Sequence, residues 1–79
     1  MIEKQLKEET EKWLAKIKAE RKKIKLNDVL KENMLKNIDA YISDSEHFLK
    51  KGDLIRAFEA VIWSWSIMEI GLELGIFKK

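Results

Sequence analysis

Asp44 and His47 stand three residues apart. On a helix this spacing brings a carboxylate and an imidazole together, as in half of a di-metal bundle site. A complete site needs further ligands pointing inward from other helices. At 100° per residue, His47 lies roughly 160° from the face marked by Tyr41, Ser45 and Phe48, so it reads as a surface histidine. Glu69 and Glu73, at i and i+4, read as exposed helix decoration in the same way. Ser43, Ser45, Ser64 and Ser66 have no cysteine and only one outward histidine to work with as nucleophile and base. Gly52, Gly71 and Gly75 fall at helix ends or within helical pattern and make no phosphate-cradling loop. The expectation is a non-enzyme without metal, cofactor or small-molecule substrate.

Charge offers a second chemistry. The net charge is only +2, too small by itself to imply nucleic acid. Between Trp13 and Lys25, however, Lys16, Lys18, Arg21, Lys22, Lys23 and Lys25 face a single acid, Glu20. Such a tract could attract phosphates. Yet these residues wrap the helix, with Arg21 and Lys25 on a different side from Lys16 and Lys23, and no aromatic alternates with them to stack bases. Basic residues also favour a helix C-terminus through the helix dipole. Nucleic-acid contact through this tract is therefore the alternative reading.

The elements that would position these groups are helices. Seventy-nine residues, 46% hydrophobic and 38% charged, with no proline and three glycines, suit one domain over residues 1–79. The expected class is all-α, an antiparallel three-helix bundle with a C-terminal αα-hairpin. The first helix spans about Ile2 to Ile24, with Ile2, Leu6, Trp13, Ile17 and Ile24 as a narrow apolar seam, Glu20 on it and Thr10 at its edge, incompletely covered. Lys25 to Asp28 connects, and Asn27 or Asp28 caps the second helix. That helix ends near Lys51 and buries Leu30, Met34, Ile38, Tyr41, Ser45 and Phe48, with Ile42 and Leu49 on one flank. Ser45 is small enough for a close helix approach. Gly52 closes the second helix in a left-handed conformation, Asp53 caps the third, and Gly75 stops the third beyond Leu74.

Tyr41, Asp44, Phe48, Gly52-Asp53, Ala57-Phe58, Glu69 and Gly71 together resemble the small archaeal helical family known as domain of unknown function 357. In that family a tyrosine, an aspartate and a phenylalanine precede a Gly-Asp hinge, an Ala-Phe pair follows, and an aromatic and a Leu-Asp-like ending lie near a glycine. Here Trp63 stands for the usual tyrosine, Ser64 for alanine and Glu69 for aspartate. The resemblance covers roughly the last 40 residues. It implies an archaeal source and a three-helix fold, and it carries no activity.

The third helix has two apolar faces. Leu54, Ala57, Phe58, Val61, Trp65, Met68 and Leu72 form the main core stripe, while Ala60, Trp63, Ile67, Ile70 and Leu74 lie on nearly the opposite side. A helix in a three-helix bundle usually needs one broad apolar sector. Either the other two helices cover both faces, or Trp63, Ile67, Ile70 and Leu74 form a seam for a second copy or a protein partner. Phe77 could fold back on either stripe. The longest hydrophobic segment, Ala60 to Ile70, is too short and too interrupted to span a bilayer, and no signal-peptide-like run opens the chain. A cytoplasmic homodimer or interaction module without membrane contact is expected.

Overall fold

The computed structural model describes residues 1–79. Three helices, α1 (Ile2–Lys23), α2 (Glu32–Lys51) and α3 (Leu54–Glu73), run up, down and up. A two-stranded antiparallel ribbon at one end pairs β1 (Lys25–Leu26) with β2 (Phe77–Lys78). The bundle is elongated, 42 × 17 × 17 Å. No helix is long and apolar enough to cross a membrane.

The α2–α3 hairpin is the most extensively packed pair, and its turn chemistry is local. Gly52 takes φ +78°. Its N–H donates to the Leu49 carbonyl (3.1 Å), and the Asp53 N–H donates to the Phe48 carbonyl (2.9 Å), the two bonds of a Schellman ending. The Asp53 carboxylate then accepts the Arg56 N–H (3.2 Å) and starts α3. The same pair of bonds closes α3: Gly75, at φ +75°, donates to Leu72 (3.2 Å), and Ile76 donates to Gly71 (2.8 Å).

Ser45 fixes the spacing between α2 and α3. It is fully buried, and its hydroxyl donates to the Ala57 carbonyl at 2.7 Å. A larger side chain would force the helices apart and leave that contact unmade. Ser45→Val is expected to lower unfolding free energy by about 1–3 kcal/mol, as read from the midpoint of a urea titration.

α1 lies in the groove beside this hairpin, turned from the expected seam. Thr10 and Leu14 are buried with Ile17, while Ile2 stays exposed. Burial costs Thr10 little because its hydroxyl donates to the Leu6 carbonyl one turn back (2.7 Å). Glu20, expected on the seam, is partly exposed and ion-paired to Lys23 and Lys79. The Trp13 ring meets Trp65 edge-on at 5.7 Å, and the Trp65 indole N–H donates to the Trp13 carbonyl (3.2 Å), so these rings join α1 to α3. Arg21 with Asp39, and Lys18 with Glu46, clip α1 to α2.

Two further features depart from expectation. The connection after α1 contains β1 and a single 3-10 turn, Val29–Lys31. Asp28 does cap, but it caps this turn, accepting the Leu30 N–H at 3.0 Å. Leu30 therefore sits ahead of α2 and is 89% exposed instead of lying in the core. In the ribbon, Phe77 is 2% exposed and lies against Gly71. A Cβ at Gly71 would stand 2.2 Å from the Phe77 ring, so only glycine leaves room there. The C-terminal segment thus completes the core formed by Ile17, Ile38, Val61 and Met68.

Candidate interaction surfaces

The second apolar stripe of α3 divides between the bundle and solvent. Ala60 is buried and Ile67 half-buried, whereas Trp63, Ile70 and Leu74 are 57%, 50% and 68% exposed. Their Cβ directions fall within about 40° on the helix wheel, so they form one outward strip. The strip lies toward α2, on the side of the hairpin away from α1. There the Trp63 ring stacks on Tyr41 at 6.3 Å and 22°, and Arg56 lies over the Phe48 ring at 5.9 Å. Tyr41 and Phe48, expected in the core, are half-buried and flank this face because Ile38, Ile42 and Ser45 occupy the inner side of α2. Beside Trp63, a shallow depression of about 320 Å³ is lined by Phe58, Glu59, Ile62, Trp63 and Ser66.

Sequence reasoning did not pick out Ile62 and Ile55, which are 40% and 66% exposed. Both fall about 100° from the centre of the Trp63–Leu74 strip toward Glu59 and Ser66, a sector that reads as polar when each residue is assigned to a stripe. The signal was present in residue type alone: two isoleucines within a mainly polar arc.

The basic tract is largely committed within the fold. Arg21 makes a two-point contact to Asp39 (2.7 and 3.0 Å). Lys18 bonds Glu46, and Lys23 lies 3.4 Å from Glu20. Lys16 stands 4.7 Å over the Trp13 ring. Lys22 and Lys25 have no ion-pair partner, and the ladder sets Lys78 directly across from Lys25. Lys79, from the far end of the sequence, bonds Glu20 at 3.0 Å. The ammonium groups of Lys79 and then Lys23 hold the Glu20 carboxyl below the ordinary glutamate range.

Asp44 and His47 lie on the exposed side of α2, the His47 ring set edge-on to Phe48 at 5.7 Å. No group of three or more acidic or histidine side chains converges anywhere. The hydroxyls of Ser45, Ser64 and Ser66 donate to the Ala57, Val61 and Ile62 carbonyls.

The surfaces described belong to a known architecture. The crystal structure of protein AF1782 from Archaeoglobus fulgidus, itself assigned to DUF357, is similar to this chain at 48% sequence identity with a TM-score of 0.92. The match covers 100% of this chain and 99% of that one. No curated protein matches. The profile of the family described as "Protein of unknown function (DUF357)" matches residues 7–77, taking in α1 as well as the hairpin that carried the resemblance. The chain therefore belongs to the DUF357 family.

Proposed function

We propose that this protein is a non-enzymatic self-association module in which the outer α2–α3 face pairs with the same face of a second copy. The observation that carries this reading is the exposure of Trp63, Ile70 and Leu74 in one strip beside Tyr41. Large apolar groups gathered in one patch mark interfaces, and tryptophan and tyrosine are frequent anchors there.

Size supports the choice of a second copy. Two 20-residue helices are about 30 Å long. At the usual interaxial spacing of 8–10 Å they present about 600 Å² in projection. Side-chain relief brings this near the ~800 Å² per partner of a standard interface. Two such faces stacked together would form a four-helix layer with α1 outside it on each copy. The nucleic-acid alternative has weaker support, because Lys18, Arg21 and Lys23 are engaged by acids of the same chain.

Sedimentation equilibrium over a range of loading concentrations tests the proposal. The expected mass rises from 9.4 kDa toward twice that value, and Ile70→Lys holds it at the lower limit. A single 9.4 kDa particle at every concentration would rule the proposal out.

A further inference from the structure

The end of the bundle that carries the ribbon also exposes large apolar groups outside the three helices. Val29 and Leu30 are 75% and 89% exposed, and the turn that holds them is well tied. The Asn27 and Asp28 N–H groups donate to the Ile76 carbonyl (2.8 and 3.3 Å). The Asn27 side-chain amide donates to the Gly75 carbonyl (3.0 Å), and Asp28 caps the turn. Two branched aliphatic side chains are thus held exposed on a turn that hydrogen bonds of the preceding Asn27 and Asp28 tie to the C-terminal segment.

Basic residues adjoin them in sequence and on the ribbon, with two acids, Asp28 and Glu32, of which Glu32 is paired to Lys36. Lys25 and Lys78 are directly paired across the ladder. Like charges in that position repel, and an external anion would relieve the repulsion. Lys31 follows Leu30 in sequence, and Lys22 lies one residue before the end of α1. None of these four lysines has an ion-pair partner in the chain, whereas Lys23 and Lys79 are both taken by Glu20. The arrangement is an apolar tip with four unpaired ammonium groups nearby against one carboxylate without an ion pair, that of Asp28.

We infer that this tip docks on an anionic lipid surface. Val29 and Leu30 enter the boundary between headgroups and acyl chains, while Lys25, Lys31 and Lys78 meet the lipid phosphates. Shallow apolar insertion combined with a basic patch is the two-signal arrangement that gives reversible membrane binding. A nucleic acid would use the lysines but would gain nothing from two bare aliphatic groups. The aromatic residue at this end, Phe77, is buried and unable to stack a base. The sequence-based expectation of no membrane contact rests on the want of a segment long enough to span a bilayer, which shallow docking does not require.

Co-sedimentation of the full chain with vesicles tests the inference. The vesicles are phosphatidylcholine alone or phosphatidylcholine mixed with phosphatidylglycerol, and duplex DNA and polyglutamate are the competing probes. Binding is expected to the phosphatidylglycerol vesicles only, and to weaken as salt is raised. Lys25→Gln and Lys78→Gln should each reduce it about five-fold. Val29→Ser combined with Leu30→Ser should reduce it about ten-fold or more, with circular dichroism unchanged because both side chains are exposed. Failure to bind phosphatidylglycerol vesicles would overturn the inference. So would undiminished binding by the double serine variant, or capture of DNA or polyglutamate in preference to the vesicles.

Discussion

Phe77→Ala should lower the stability of this protein by about 3–5 kcal/mol, the usual cost of removing a buried aromatic ring. For 79 residues the whole unfolding free energy is on the order of 4–12 kcal/mol, so the variant should be close to unfolding at ambient temperature. The effect is large because the ring does two things. It fills the core beside Gly71, and it anchors β2, whose pairing with β1 holds the C-terminal segment to the connection after α1. Gly71→Ala is the complementary change: its methyl would meet ring atoms at 2.2 and 2.3 Å, and overpacking of this kind costs about 1–3 kcal/mol. The two changes should not add, because a methyl at position 71 partly fills the space that Phe77→Ala leaves. Urea titrations of the two single variants and the double variant provide the measurement. A loss below about 1 kcal/mol for Phe77→Ala would show that the ring is not part of the core.

Trp63→Glu should act in the opposite way, leaving the fold intact and weakening dimerisation at least about 30-fold, the equivalent of the ~2 kcal/mol that defines an interface hot spot. The indole is 57% exposed in the single chain, so its loss removes little core packing beyond its stack on Tyr41. In the paired state the same position would hold two carboxylates in a desolvated seam, where unpaired charge is strongly unfavourable. Thermal melting at low protein concentration should therefore be nearly unchanged, while the concentration dependence of sedimentation should disappear. A variant that melts far below the wild type at every concentration would instead make Trp63 a core residue.

The features legible from sequence were those set by local chemistry. Gly52-Asp53 and Gly75 announced helix ends because a left-handed glycine and a capping carboxylate act within a few residues. The double stripe of α3 was legible for the same reason, since it depends only on helical period. The main stripe was assigned to the core, where Ala57, Val61 and Met68 lie; whether the second stripe would be covered as well was not legible, because that depends on where α1 lies. The same dependence rotated α1 onto Thr10 and Leu14, away from Ile2. The two-residue strands were invisible because a ladder that short carries no periodic signal, and its partners lie about 50 residues apart in sequence. Leu30 was misplaced because helical period was extended through a turn that Asp28 caps separately. On the candidate interface, Trp63, Ile70 and Leu74 emerged from sequence, whereas Tyr41 and Phe48 were assigned to the interior and Ile62 was missed.

Quenching of Trp63 fluorescence by acrylamide, followed as protein concentration rises, probes association and the surface used in one experiment. Trp13→Phe with Trp65→Phe leaves Trp63 as the sole indole. Self-association through the α2–α3 face predicts ready quenching at high dilution and progressive shielding over the concentrations at which the sedimenting mass doubles. Equal quenching at every concentration would contradict it, whether the protein stayed monomeric or dimerised through some other surface.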